Sequence, residues 1–359
     1  MRKVKQLEQE ISELRAELER RTEEGGAQAS LLTQVLATVR QGIIVVDHDD
    51  TIPYFNPAVA TLIRPGSTLG QLSPHSLQSL VRAARVEGKP VERLLELDRP
   101  HRLLTAVATP IEGGGRVLVV VVDVTEARRI EAVRRDFVAA ASHELKTPVA
   151  SMVASAETLQ LALARDPATA ERFAQQVERS ARQLAGLVTD LLDLSRLEAK
   201  PAAEEEVLLG RLIEEEAAAF AERAAKKGVQ LTVETSPAIV LGTASDLALA
   251  LRNLVDNALR HTPAGGEVRV VITPTQEGVR LDVVDNGEGI ATRELPRIFE
   301  RFYRVDAARS RSTGGTGLGL AIVRHVAESH GGRVEVRSAL GEGSIFSIHL
   351  PSRDASPSV

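Results

Sequence analysis

Phe137 to Met152 reads FVAAASHELKTPVASM, and the reading of the whole chain turns on it. Apolar residues at Ile130, Val133, Phe137, Ala141, Leu145, Val149, Met152 and Leu159 recur at helical spacing and predict one stripe of an amphipathic helix. His143 lies two residues from both Ala141 and Leu145. At about 100° per residue it falls about 200° from each, on the polar side. Thr147, one turn on, shares that face, and Glu144 borders it. Pro148 is expected to bend the helix or remove a backbone bond just beyond. An exposed histidine is ordinarily a solvated side chain, but a helix distortion beside it is costly unless it serves something.

The flanks extend the pattern. Glu126 to about Arg165 reads as one helix, Asp166-Pro167 as the break, and a second helix carries Phe173, Val177, Ser180, Leu184, Leu187, Leu191 and Leu194. Two antiparallel amphipathic helices cannot bury their stripes alone. Two copies make a four-helix bundle, so the hairpin (126–199) implies a homodimer. Lys200 to Glu204 looks like a linker.

Upstream, Val4, Leu7, Ile11, Leu14 and Leu18 form a heptad seam among charges, which predicts a coiled coil over 1–26 ending at Gly25-Gly26. The plainer alternative is one amphipathic helix packing on its own domain. Between the coil and the hairpin lies an α+β segment, 30–125. Ser30 starts a short helix through Val39. Gly42 to Asp47 is a strand, Thr51 to Phe55 its hairpin partner, and Asn56-Pro57 opens a helix. Strands follow at Arg102 to Pro110 and Arg116 to Asp123.

Downstream of the linker, Val207 to Lys227 is expected as a helix, Val229 to Glu234 and Ile239 to Gly242 as strands. A helix then carries Asn253, Asn257, Arg260 and His261 on one face, and asparagine is uncommon on a core face without a partner. Asp285-Asn286-Gly287-Glu288-Gly289 follows a strand. IFERFYR, Ile298 to Arg304, precedes a polar loop. Gly314-Gly315-Thr316-Gly317-Leu318-Gly319 opens a helix through Ser329, and Gly341-Glu342-Gly343 leads to a last strand. A glycine-rich turn at a helix N-terminus lets backbone amides approach a triphosphate. It is not a Walker A pattern, lacking Gly-Lys-Ser/Thr.

Ser142 to Pro148 resembles the H box of two-component sensor histidine kinases, and the ordered downstream motifs resemble the N, G1, F, G2 and G3 boxes of their GHKL-type α/β-sandwich ATP-binding domain, over 205–352. The 30–125 segment resembles a PAS sensor domain that closes on Asp123-Val124-Thr125. The resemblance implies a multidomain α+β protein-histidine kinase whose His143 takes a phosphoryl group from ATP and hands it to an Asp of a separate response regulator. Glu144 would orient the ring or take its proton. Thr147 would place water for removing phosphate from that regulator. Asp285 would accept from the adenine amino group, with Gly287 and Gly289 beneath the base. Asn257 would bind Mg²⁺ with Asn253 close by, Arg260, His261 and Arg304 would face the phosphates, Gly315, Thr316, Gly317, Leu318 and Gly319 would cradle them, and Val305 to Gly314 would be a lid.

Composition sets the bounds. The chain has 359 residues, 26% charged and 43% hydrophobic, with net charge −5 and no cysteine. There is room for two or three domains and no general electrostatic case for nucleic-acid binding. Absence of cysteine fits a reducing compartment and excludes thiol chemistry, including a flavin–thiol adduct. No PAS ligand is indicated, and His48, His75 and His101 are expected at the surface rather than as haem ligands. The longest apolar run, Val117 to Val122, has the length of a buried strand, well short of the about 18 residues of a membrane span. The expectation is a cytoplasmic kinase, or a chain that starts after its membrane segment, with a disordered tail at 353–359. An ATPase or hydroxyl-directed kinase with a merely structural bundle is the competing reading, and a non-catalytic scaffold the third.

Overall fold

The computed structural model describes residues 34–98, 100–111, 115–163, 166–199, 205–305 and 315–352. The coiled coil expected over 1–26, most of the expected lid and the tail at 353–359 lie outside them. The chain divides into two compact units, Met1–Arg135 and Asp136–Val359.

The first unit is an antiparallel sheet of β1 (Gly42–Val46), β2 (Tyr54–Phe55), β3 (Val91–Asp98), β4 (His101–Ile111) and β5 (Arg116–Asp123), in the order β2-β1-β5-β4-β3. Alternate residues of β1 and β5 point inward, as a half-buried strand requires, and Ile44, Val46, Val117, Val119 and Val121 are fully buried. Helix α1 (Pro57–Leu62) and helix α2 (Ser76–Glu87) cover that face, α2 through Leu77, Leu80, Val81 and Ala84. Only Tyr54 and Phe55 of the expected second strand pair with β1; Thr51 bridges instead to Thr68. Asn56, at the start of α1, is fully buried and makes no side-chain cap. Its amide instead accepts from Ile43 N–H at 2.9 Å and donates to the carbonyls of Leu36, Val39 and Gln41. This pins the segment before β1 to the sheet. His48, His75 and His101 are exposed, as expected for surface histidines.

Helix α3 (Thr125–Ala162) begins where Thr125 N–H donates to Asp123 Oδ1 at 2.9 Å and Leu103 N–H donates to Thr125 Oγ1 at 2.9 Å. Its antiparallel partner is α4 (Pro167–Ala199), capped by Asp166, which accepts from Thr169 N–H at 3.1 Å. Both helices end close to the expected break.

The rest of the second unit is a sandwich. Helices α5 (Leu209–Lys227), α6 (Ala244–His261) and α7 (Gly319–Ser329) pack on a five-stranded sheet. Its strands are β7 (Gln230–Glu234), β9 (Glu267–Thr275), β10 (Gly278–Asp285), β11 (Arg333–Ala339) and β12 (Gly343–Leu350), ordered β11-β12-β10-β9-β7, and β7 runs parallel to β9. The expected helix from Val207 is corrected: Glu205–Leu208 is a strand, β6, paired with β8 (Ile239–Gly242), and α5 starts at Leu209. Leu247, Leu251, Leu254, Val255 and Ala258 bury one face of α6 and so turn Asn253, Asn257 and Arg260 the other way. Leu187, Leu194 and Leu197 of α4 join this same core, so the hairpin and the sandwich are packed together.

Candidate functional site

Two segments converge on the polar face of α6: the end of β10 and the glycine-rich turn before α7. Asp285 closes β10. It is 6% exposed and its Oδ1 accepts from Gly287 N–H at 2.9 Å. Burial pushes its carboxyl up from the usual 3.8, against the backbone donors of Gly287 and Ser344 that pull it down. The two glycines beyond it are needed for close approach. A Cβ at Gly287 would overlap the His261 carbonyl, and one at Gly289, where φ is +67, would overlap the carbonyl of Ala339.

On α6, Asn253 donates to the Leu249 carbonyl at 2.9 Å, leaving its oxygen toward Gly319, where a Cβ would lie 2.5 Å away. The Asn257 amide makes no hydrogen bond among the described residues, though it is only half-buried. Arg260 pairs with Asp256 at 2.5 Å and borders Gly315. His261 sets its Nδ1 2.6 Å from Glu288 Oε1. In the glycine-rich turn, Leu318 is fully buried, so it offers backbone and packing rather than a polar contact. Leu318 N–H donates to Thr316 Oγ1 at 3.3 Å. Arg304 is half-buried at the end of the IFERFYR segment. Within that segment Tyr303 donates its hydroxyl to Glu294 under the Arg297 guanidinium, 4.3 Å above the ring.

On the hairpin the His143 side chain is 80% exposed, and its Nδ1 is 3.8 Å from Glu144 Oε1, beyond hydrogen-bond reach. Thr147 is exposed beside it and donates its hydroxyl to the His143 carbonyl at 3.2 Å. Pro148 is buried inside a helix that stays continuous. The expected exposed face therefore exists, with the apolar residues on the other side only partly covered.

Comparison with known proteins follows the same division. Residues 133–200 match the family model described as the His Kinase A phospho-acceptor domain, and 242–354 the one described as histidine kinase-, DNA gyrase B- and HSP90-like ATPase. The phosphate regulon sensor protein PhoR of Pseudomonas aeruginosa is 35% identical over 328 residues, which span 88% of this chain and 72% of PhoR. The sensor-like histidine kinase SenX3 of Mycobacterium tuberculosis is 37% identical over 350 residues, 92% of this chain and 82% of SenX3.

The chain belongs to the sensor histidine kinases.

A solved structure of the histidine kinase ThkA, in complex with the response regulator protein TrrA, shares the fold at a TM-score of 0.51 and 21% identity, over 87% of this chain and 95% of that one. No helix among the described residues is long and apolar enough to cross a membrane. In this histidine kinase the sandwich is an ATP-binding domain, and the protein transfers phosphoryl groups from ATP to histidine.

Sequence reasoning missed a group of contacts between the hairpin and the ATP-binding domain of this kinase. Thr316 donates to Asp190 Oδ2 of α4 at 2.5 Å. Burial raises the Asp190 carboxyl above its usual range, opposed by that hydrogen bond. The Phe302 ring packs on Phe137 of α3 with centroids 5.7 Å apart, Arg301 lies 5.0 Å over Phe137 and pairs with Glu198, and Arg196 pairs with Asp246 at 3.0 Å. Phe302 has φ 63, a left-handed backbone that costs a non-glycine residue energy, and the Gly317 turn is folded over it. The only sequence signal for these contacts was the aromatic content of IFERFYR.

Proposed function

We propose that His143 is the phosphoryl acceptor, and that ATP is held between Asp285, the α6 face and the glycine-rich turn. What carries this reading is the pairing, in one compact unit, of a buried carboxyl in a cradle that any Cβ would fill with an imidazole that is 80% exposed. Asp285 keeps a carboxylate oxygen for the adenine amino group while the other accepts from Gly287. Asn257 suits Mg²⁺, because an amide oxygen with no other partner among the described residues is a hard-cation ligand. The ion would offset charge on the phosphates. Arg260, beside Gly315, does the same from the protein side.

In the transfer, Nε2 of His143 forms a bond to the γ-phosphorus as the bond to the ADP oxygen breaks, in line. The ring then carries a positive charge and releases the Nδ1 proton to Glu144, whose carboxylate is near Nδ1. The phosphoryl group passes from His143 to an Asp of a separate response regulator docked on the hairpin. The same face carries a second activity, removal of that phosphate, in which the Thr147 hydroxyl leaves the His143 carbonyl to orient a water.

The hairpin works as a homodimeric four-helix bundle. Its exposed Val149, Val153, Val188 and Leu192 support this, since a second copy would cover them. The first unit is read as a PAS sensor, supported by its five-stranded antiparallel sheet and the Asp123–Thr125 exit into α3.

Incubation with γ-labelled ATP and Mg²⁺ tests the reading. The label should be acid-labile and base-stable, and His143→Gln should abolish it while leaving nucleotide binding intact. Label retained by His143→Gln, or stable to acid, would support the hydroxyl-directed alternative.

A further inference from the structure

Arg260 reaches the glycine-rich turn with its guanidinium already anchored. One turn before it on α6, Asp256 Oδ2 accepts from Arg260 Nη2 at 2.5 Å. The opposite edge of the guanidinium faces the turn, where a Cβ on Gly315 would lie 2.5 Å from Arg260 Nη1. Only glycine lets the cation come so close to that backbone. A planar guanidinium gripped along one edge presents its other edge in a set direction.

The anchor is held in turn. Asp256 Oδ1 takes a second guanidinium, that of Arg223 on α5. Lys227, one turn on from Arg223, donates to the Leu259 and Arg260 carbonyls at 2.5 and 2.8 Å and so closes the last turn of α6. Burial, together with the Arg223 and Arg260 charges, holds the Lys227 ammonium below its usual range. Arg223, Lys227 and Arg260 thus set their positive charges against the carboxylate of Asp256. Asp190 and Glu288 also act on these groups, but burial raises the Asp190 carboxyl and Glu288 is paired with His261. An ion pair one turn apart on a helix surface ordinarily contributes little. Asp256 differs in holding arginines from two helices, one of which lines the nucleotide site.

We propose that Asp256 is a positioning residue for phosphate binding: it fixes the Arg260 guanidinium so that the Nη1 edge meets the phosphates, and Arg223 offsets the Asp256 charge so that the carboxylate does not repel them. This rests on ATP lying in the site read above. Asp256 and Arg223 touch no reacting atom.

Affinities of the full-length chain for ATP–Mg²⁺, by calorimetry, and for adenosine, by ligand-observed NMR, test it. Asp256→Ala should weaken ATP binding about 10-fold, the effect of one charge-assisted hydrogen bond, and leave adenosine binding unchanged. Asp256→Asn, which keeps an acceptor for Nη2, should recover most of the affinity. Arg223→Ala should weaken ATP binding about 3–5-fold through the uncovered carboxylate, and Arg223→Lys should restore most of it. In an Arg260→Ala background Asp256→Ala should cost nothing further, because its effect passes through Arg260.

Equal losses for ATP and adenosine would show a merely structural role. Tighter ATP binding by Asp256→Ala would show a competing counter-ion, and a full further loss in the Arg260→Ala background an independent effect. Each of these overturns the proposal. Should Asp256→Ala not fold, Arg223→Ala gives the same comparison from a side chain that is 53% exposed. A wild-type chain that binds no ATP would instead sink the site itself.

Discussion

Asp285 shows how a single residue can be poorly placed for stability and well placed for binding. Its carboxyl is buried, and burial raises its pKa above the 3.8 of an exposed aspartate. A folded state that binds the proton more tightly than the unfolded chain gains most from this group at pH below that ordinary value. The gain is lost as pH rises through the raised folded value, so near neutral pH Asp285 opposes folding. Asp285→Asn removes the charge and keeps an oxygen for Gly287 N–H. Its melting temperature at neutral pH should therefore equal or exceed that of wild type, while ATP affinity falls at least about 10-fold because the amide can present its NH₂ to the adenine amino group. Calorimetry of unfolding and of binding checks both halves; unchanged ATP affinity would remove Asp285 from adenine recognition. In the sequence Asp285 was singled out by the resemblance of its motif to those of histidine kinases, and His143 by its angle from the apolar stripe. Asp190 was not. Its polar side chain on α4 reads as a solvated position, and its burial comes from a turn 126 residues away.

Among the elements, α3 is the one on which signalling is expected to depend. It runs unbroken from Thr125 to Ala162 and carries both the exit from the first unit and His143. One residue inserted near Arg129 turns everything beyond it by about 100°, whereas seven nearly restore the phase. Kinase output should therefore change sharply with one inserted residue and recover with seven; output indifferent to insertion length would exclude coupling through this helix. One turn of the same helix bears Thr147, whose hydroxyl rests on the His143 carbonyl. Thr147→Ala should leave His143 labelling near wild type and slow dephosphorylation of the regulator's phospho-Asp. A mutant that clears the phosphorylated regulator at the wild-type rate would leave Thr147 with its backbone bond alone. The two long helices were readable because their contacts are local and periodic. Strand β6 was not, since Glu205–Leu208 becomes a strand only by pairing with Ile239–Gly242, and α2 and β3 of the first unit lay in a stretch without strong alternation. The Asn56 side chain, at the expected start of a helix, proved to be a clamp on three backbone carbonyls.

For the whole molecule, the proposed pairing of two hairpins carries an expectation for stability. The single hairpin leaves Val153 55% and Leu192 67% exposed, and a second copy would cover both. Covering a valine or leucine is worth about 1.5–3 kcal/mol, so Val153→Asp with Leu192→Asp should yield a monomer by light scattering and lower the hairpin's unfolding temperature. A variant that stays dimeric with wild-type stability would move the interface elsewhere. The Tyr303–Glu294 bond has an optical consequence. The chain has two tyrosines and no tryptophan. Tyr54 lies in the first compact unit and Tyr303 in the second. Each unit thus carries its own ultraviolet emitter, and in Tyr54→Phe the remaining fluorescence comes from the ATP-binding unit alone. Because that phenol donates to a carboxylate, its quantum yield reports whether the IFERFYR segment keeps its shape, with no dye attached to the protein.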